Sequence, residues 1–156
     1  MTMTSNATRT TRLAELELFA GADREELELV AARCVEVDVP KGRELFREGE
    51  QAREFVVVLD GYAVVTADGR EIAYLGAGSC FGEMALIDGR RRNATATAAS
   101  SLQALLFDAE DFHFLLRELP SFSLRILGTM VGRLRLANSQ LSERADTTHR
   151  SPSPSS

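Results

Sequence analysis

The sequence predicts a mixed α+β fold that is mainly β, with helices on both sides of a block of short strands. Two observations carry this prediction. Glycines recur through residues 35–107 between short β-rich runs, and apolar residues follow a helical period before and after that block. Strands that alternate with turns every eight to twelve residues or so are typical of a sandwich, a jelly roll or a barrel. The glycines are Gly42, Gly49, Gly61, Gly69, Gly76, Gly78, Gly82 and Gly89.

Length and composition indicate one globular domain with polar ends. The chain has 156 residues, of which 44% are hydrophobic and 26% charged, and its net charge is −5. An acidic chain binds nucleic acid poorly without sequence recognition, so we expect no nucleic-acid partner. No apolar run approaches the about 20 residues that cross a bilayer, and the N-terminus lacks the apolar core of a signal peptide. We therefore expect a cytoplasmic protein without membrane contact.

The polar ends set the predicted domain boundaries. Residues 1–10 are rich in Thr and Ser and are predicted to form a disordered leader. Residues 11–143 are predicted to form the domain, and residues 144–156 a disordered Ser/Pro tail. Two short helices are expected at the start of the domain. Asp23 is a candidate N-cap of the second helix, because Glu26 lies three positions later as in a capping box.

Seven runs in the central block are predicted to be strands. Of these, "CVEVDV" and "REIAYL" alternate apolar and polar residues, as half-buried strands do. The sequence "ADGR" predicts a hairpin turn at Asp68 and Gly69. The remaining runs are "RELF", "EFVVVLD", "YAVVTA", "ATATAAS" and "LQALLF".

The helical period returns after the last strand, at "AEDFHFLLREL". Pro120 is predicted to end that helix, and a long helix is expected over residues 121–143. Its apolar residues step by three and four positions over two heptads, which makes it a candidate surface for a homodimer. These residues are Leu127, Met130, Leu134, Ala137 and Leu141.

The residues that carry most catalytic chemistry are scarce. Cys34 and Cys80 form no CxxC pattern and are interpreted as buried free thiols. His113 is predicted to lie on a helix surface, and the other histidine, His149, falls in the polar tail. A zinc site needs several convergent ligands and an iron–sulfur cluster needs four thiolates, so we expect neither a metal nor a cofactor. No nucleophile–base pair is evident, and we expect no enzyme and no catalytic residue.

The most informative stretch is "CFGEMALIDGRRRNATATA", residues 80–98. Its "GEMALI" segment favours a short helix, whose free N–H groups and dipole attract an anion. Three consecutive arginines follow, and on an extended segment they cannot all face solvent, so one is expected to face inward. Two interpretations stay open from the residues alone. Glu83 and Arg92 form an internal ion pair, or they share a site for a nucleotide or sugar phosphate.

This stretch closely resembles the phosphate-binding cassette of cyclic-nucleotide-binding domains, the family of catabolite-activator-type regulators and protein kinase A regulatory subunits. The match is Phe81-Gly82-Glu83-Met84-Ala85-Leu86 followed by Arg92-Asn93-Ala94-Thr95, and the resemblance extends over about Leu13 to Arg135. It implies an eight-stranded jelly-roll-like β-barrel with short N-terminal helices, a cassette helix and a C-terminal lid helix.

The resemblance also implies roles for single residues. Backbone amides near Gly82 and Ala85 would bind the cyclic phosphate, with Arg92 paired to it, and Glu83 would accept from the ribose 2′-hydroxyl. Asn93 would lie beside base and phosphate, and Met84 and Thr95 complete the expected ligand-binding set. The lid helix would cover the base with Leu127, Met130, Leu134 and Arg133, whose guanidinium either stacks on the purine or faces solvent.

Two positions depart from the family pattern. Arg91 stands where the family often has proline, which predicts a looser loop and a second arginine near the phosphate. Asn93 stands where cAMP-preferring members often have Ala or Ser and cGMP-preferring members often have Thr. Its amide both donates and accepts, so it leaves the base open, and we favour cAMP over cGMP.

The expected function is that of a stand-alone sensor. The residues after the long helix are too few for a DNA-binding helix-turn-helix, so we expect cyclic-nucleotide binding to be relayed by the C-terminal helix to an unidentified protein effector. Two alternatives remain: a degenerate interaction module that binds no nucleotide, and a transcription regulator that lacks its DNA-reading domain.

Overall fold

A computed structural model of the chain describes residues 6–149, and the side chains of residues 8–141. Three helical segments precede the strands: α1 (Asn6–Ala14), a 3-10 turn (Glu17–Phe19) and α2 (Arg24–Ala31). The strands are β1 (Val35–Val39), β2 (Glu44–Phe46), β3 (Glu54–Asp60), β4 (Ala63–Ala67), β5 (Arg70–Leu75), β6 (Cys80–Phe81), β7 (Thr95–Ala98) and β8 (Leu102–Asp108). The remaining helices are α3 (Glu83–Asp88), α4 (Ala109–Glu118) and α5 (Pro120–His149).

The ends of the domain differ from the prediction. Residues 6–10, expected in a disordered leader, lie in α1, and residues 144–149, expected in a disordered tail, continue α5. Arg9 explains part of the first difference, because its Nη1 donates to the carbonyls of Ala31 and Cys34 and ties α1 to the domain. Residues 1–5 and 150–156 lie outside the described residues.

The structure confirms two features that local sequence signals predict. The Asp23 carboxylate accepts from the Glu26 amide at 2.8 Å while the Glu26 carboxylate accepts from the Asp23 amide at 3.1 Å, which completes the capping box of α2. Asp68 and Gly69 have φ of 51° and 73° and join β4 to β5, as a two-residue hairpin turn requires.

The eight strands form two antiparallel sheets of four, in the orders β1-β8-β3-β6 and β2-β7-β4-β5. The jelly-roll-like fold is confirmed, and seven of the strands coincide with the predicted runs. The eight strands do not close into a complete barrel. Among the described residues each sheet keeps its own edge strands, and the edges β2 and β6 have only three and two residues, too few for a continuous ladder between the sheets.

Strand β3 shows why two cores form. Its side chains alternate, and the strand is buried on both faces. Val56 and Val58 pack between the two sheets, whereas Phe55 and Val57 pack against the helices. The helical core includes Phe19, Phe112, Leu115, Phe122 and Ile126.

Pro120 separates α4 from α5, as predicted. Leu119 before it is extended, with φ −119° and ψ 93°, and Pro120 begins the next helix, where its missing N–H costs nothing. The first turns of α5 belong to the core, because Phe122 and Ile126 are each 1% exposed. The structure therefore fastens α5 to the domain at its start.

Both cysteines are buried free thiols, as predicted, and burial raises the pKa of each to about 11. His113 is only partly buried but bonded: its Nε2 lies 2.8 Å from the Leu86 carbonyl oxygen. Within residues 6–149 no helix has the length and apolarity that spanning a membrane requires. The described residues also contain no cluster of three metal-ligating side chains.

Candidate nucleotide site

The predicted cassette folds as a strand, a short helix and a loop. Gly82 follows β6 and precedes α3 with φ 96°, a conformation that glycine adopts without strain. Gly89 ends α3 in the same left-handed region, and its amide donates to the Ala85 carbonyl at 3.0 Å. The cassette helix therefore lies between two glycines, with its first turn facing the loop that carries the arginines.

Arg92 is the inward arginine of the three. Its side chain is 5% exposed, and Nη1 donates to the Gly82 carbonyl at 2.8 Å while Nη2 donates to the Glu54 carbonyl at 2.5 Å. The guanidinium lies over the Phe46 ring, 4.0 Å from its centroid. Its buried Nε has no partner among the described residues. Burial lowers the pKa of Arg92, against the attraction of Glu54, Glu83 and Glu50.

The loop backbone is anchored independently of that side chain. The Arg92 amide donates to the Glu50 carbonyl and its carbonyl accepts from the Gly49 amide, both at 2.8 Å. Arg91, where the family often has proline, is exposed and donates to the Gly49 carbonyl at 3.1 Å. Arg90 is exposed as well. Hydrogen bonds to the β2–β3 loop, from the Arg92 backbone and the Arg91 side chain, thus hold the loop at the place where proline would restrict it.

Glu83 is fully buried, and its ion pair is with Arg133 rather than with Arg92. The interpretation of an internal Glu83–Arg92 pair is therefore wrong. Arg133 extends from α5 to the cassette. Its Nη1 donates to Glu83 Oε1, and its Nη2 donates to the Cys80 carbonyl at 2.7 Å. Glu83 Oε2 is buried and has no partner among the described residues. The pair joins the cassette helix directly to the C-terminal helix.

A cavity of about 380 Å³ lies between the second sheet, the cassette and α5. This volume falls within the range of small-molecule sites, about 300–1,000 Å³. Two wider clefts, of about 580 and 650 Å³, adjoin this cavity, the first at Arg133 and the second at Phe46 and Arg92, and hold fewer of the predicted site residues. The apolar wall of the cavity is formed by Phe46, Val65, Ile72, Ala73, Leu75, Phe81, Met84, Ala85, Ala94, Leu136 and Ala137. Its polar side chains are Arg92, Asn93, Arg133 and Gln140.

Six of the eight predicted ligand-binding residues line this cavity: Gly82, Met84, Ala85, Arg92, Asn93 and Arg133. Glu83 does not, because it is fully buried and paired with Arg133. Thr95 does not line it either: its Oγ1 accepts from the Glu48 amide at 2.9 Å and fastens the β2–β3 loop. Arg133 is 36% exposed at its side chain, and its guanidinium is bonded to the Glu83 carboxylate, so it is not free to stack on a base in this arrangement.

The face of α5 that borders the cavity differs from the predicted one. Leu127 and Leu134 are 55% and 61% exposed, and Met130 packs on the helical core. Of the predicted lid residues only Arg133 lines the cavity, and its neighbours there are Leu136, Ala137 and Gln140, which share one helical face with it. That spacing is visible in the sequence, but the direction of the face depends on how α5 docks through Phe122 and Ile126.

Comparison with known proteins agrees with this geometry. A family model described as the cyclic nucleotide-binding domain matches residues 36–118. The chain is 26% identical over 136 residues to the CRP-like cAMP-activated global transcriptional regulator of Mycobacterium tuberculosis, a match that covers 84% of this chain and 61% of that protein. It is 34% identical over 110 residues to the cAMP-dependent protein kinase regulatory subunit of Eremothecium gossypii, covering 70% of this chain and 24% of that one.

Among solved structures, the catabolite activator protein of Thermus thermophilus superimposes with a TM-score of 0.75 at 30% identity. The match covers 82% of this chain and 62% of that one. The chain thus spans less than two thirds of the length of these relatives.

Proposed function

This chain belongs to the cyclic-nucleotide-binding domain family, and we propose that it is a regulatory sensor that binds cAMP in preference to cGMP and relays binding through α5. One observation carries the proposal. A buried arginine, Arg92, borders a cavity of nucleotide size, and its buried Nε has no partner in residues 8–141, whose side chains the structure describes. Such a group is stabilised by an anion that enters the cavity.

The phosphate would bind at the Gly82 end of the cavity. Arg92 has five N–H donors, and the carbonyls of Gly82 and Glu54 occupy Nη1 and Nη2 with one bond each. These partners are neutral, so no side-chain carboxylate within the described part of the chain is hydrogen-bonded to the Arg92 guanidinium. Backbone amides near Gly82 and Ala85 and the side chain of Asn93 would complete the phosphate contacts.

The ribose would bind at Glu83. One carboxylate oxygen, Oε1, is held by Arg133, and the other, Oε2, is buried and has no donor in the part of the chain that the structure describes. A hydroxyl that donates to Oε2 would satisfy it, which is the role the family resemblance implies for the 2′-hydroxyl. Glu83 is fully buried, so the hydroxyl reaches it only if Arg133 shifts.

The required shift of Arg133 is how nucleotide binding would be relayed to α5. Arg133 belongs to α5, and its guanidinium bonds both Glu83 and the Cys80 carbonyl, so a ligand that competes for Glu83 also displaces or redirects α5. The part of α5 that would close on the base is the face with Leu136, Ala137 and Gln140. A ligand shifts such an equilibrium only by its difference in affinity for the two helix positions.

A second copy of the chain is the partner that the exposed side of α5 favours. Its exposed apolar residues step by three and four positions through Leu124, Leu127, Val131 and Leu134, and Leu141 follows one heptad later; each is at least 46% exposed. Val131 occupies an a position and the leucines at 127, 134 and 141 occupy d positions, a pattern that favours parallel dimers. Asn138 falls at the next a position, where one polar residue specifies the register. A protein effector would then bind to this dimer.

Calorimetric titration of the full chain with cAMP and cGMP tests the proposed function. We expect saturable binding of both at one site per chain, with cAMP the tighter ligand. 5′-AMP, which carries a different phosphate charge and an open ring, is the matched control and should bind more weakly. Absence of binding up to millimolar concentrations would leave a non-binding interaction module instead. Tighter binding of cGMP would refute the base preference alone.

A further inference from the structure

Phe46 lies on the wall between two cavities. It lines the cavity of about 380 Å³ together with Arg92, and both residues also line the open cleft of about 650 Å³ on the other side. That cleft contains Glu50, Glu54 and Arg91 besides these two. The Arg92 guanidinium therefore lies between the nucleotide cavity and the outer cleft, and Phe46 is the aromatic side chain beneath it.

The guanidinium is held in a defined plane. One face lies on the Phe46 ring at 4.0 Å, and two edges are fixed by the carbonyls of Gly82 and Glu54. It also passes close over Gly82, where an added Cβ would lie 2.7 Å from Nη1. The ring of Phe46 itself is supported by Phe81, with ring centroids 5.6 Å apart.

This support matters because an arginine side chain has many rotamers to lose when it binds an anion. The carboxylates of Glu54 and Glu50 in the outer cleft attract the Arg92 charge, and so does that of Glu83 in the cassette helix. An arginine already ordered on an aromatic face loses less freedom when the anion arrives, and the flat ring favours the charge over its face.

We propose that Phe46 is a positioning residue for anion recognition, which holds the Arg92 guanidinium flat at the nucleotide cavity and away from the carboxylates of the outer cleft. The inference rests on the proposed function, since the anion is the phosphate of a cyclic nucleotide. It adds a contributor from β2 that the cassette motif does not contain.

The test compares Phe46→Leu, which keeps an apolar side chain without the π face, with Phe46→Tyr, which keeps the ring. We expect the leucine variant to bind cAMP about tenfold more weakly, a loss between those of an exposed and a desolvated cation–π contact, and the tyrosine variant to stay within about twofold of the unaltered chain. Phe114→Leu is the matched control, because Phe114 supports another arginine, Arg33, at 3.3 Å and does not line the cavity.

A double-mutant cycle separates positioning from general packing. The affinities for cAMP are measured by NMR titration into the millimolar range. In an Arg92→Ala background, Phe46→Leu should lower the affinity by less than about twofold, because the guanidinium that Phe46 positions is absent. In the ligand-free chain the Arg92 Nε–H resonance should shift and broaden in Phe46→Leu. If that variant does not fold, Phe46→Met replaces it, with the same expected losses.

Three outcomes are decisive. If the unaltered chain binds no cyclic nucleotide, the proposed function fails and this inference fails with it. If the unaltered chain binds cAMP and Phe46→Leu binds as tightly, this inference alone is overturned. An equal loss with and without Arg92 would also overturn it, since Phe46 would then act through packing and not through the guanidinium.

Discussion

Replacement of Arg92 by alanine should weaken cAMP binding by about 30-fold or more. The estimate follows from the environment of the side chain. The guanidinium is 5% exposed, and its contact with a phosphate would be screened from water on most sides. Truncating one partner of a buried charged contact costs about 2–5 kcal/mol, and about 1.4 kcal/mol corresponds to one decade of affinity.

The matched control is Arg90→Ala. This substitution removes the same charge from the same loop, but the Arg90 side chain is exposed, and its backbone amide donates to the Asp88 carboxylate at 2.9 Å. We expect its affinity for cAMP to change by less than about threefold, the size of a screened surface charge effect.

Stability needs a separate measurement, because Arg92 also bonds the carbonyls of Gly82 and Glu54. Leaving a buried acceptor unpaired costs about 1–3 kcal/mol. Thermal unfolding of each variant therefore accompanies the calorimetric titration, and Arg92→Lys, which keeps the charge, serves as a second variant with an intermediate loss. Equal losses for Arg90→Ala and Arg92→Ala, or a folded Arg92→Ala that binds like the unaltered chain, would refute the assignment.

Three further predictions concern the ribose, the relay and the dimer. The unaltered chain should bind 2′-deoxy-cAMP more weakly than cAMP in calorimetry, and Glu83→Gln should shrink that difference; equal affinities would remove Glu83 from the site. Added cAMP should slow amide exchange at residues 82–95 and also at 133–140, and protection confined to 82–95 would contradict the relay. Light scattering should detect a dimer that Leu134→Glu dissociates and the control Ser139→Glu preserves; a monomeric unaltered chain would exclude it.

Several features of this domain follow from neighbouring residues alone. Asp23 and Glu26 predict their capping box because the bonds join positions three apart, and Asp68-Gly69 predicts its turn because both residues tolerate positive φ. The cassette is similarly local: a short helix between glycines, followed by one inward arginine. Strand β3 could be placed from its run of valines, since burial on both faces needs no knowledge of what covers them.

The tertiary structure decided which distant groups meet. Glu83 pairs with Arg133, which is 50 positions later, and the Arg92 guanidinium lies over Phe46 of β2. Neither contact follows a helical or strand period, so the sequence pattern does not predict it. For the same reason the prediction placed Leu127, Met130 and Leu134 at the cavity, where of the predicted α5 residues only Arg133 lies. Helical spacing shows which residues share a face, but the rotation of the helix is set when Phe122 and Ile126 enter the core. Local geometry depends on short-range sterics, whereas these contacts depend on how whole elements pack.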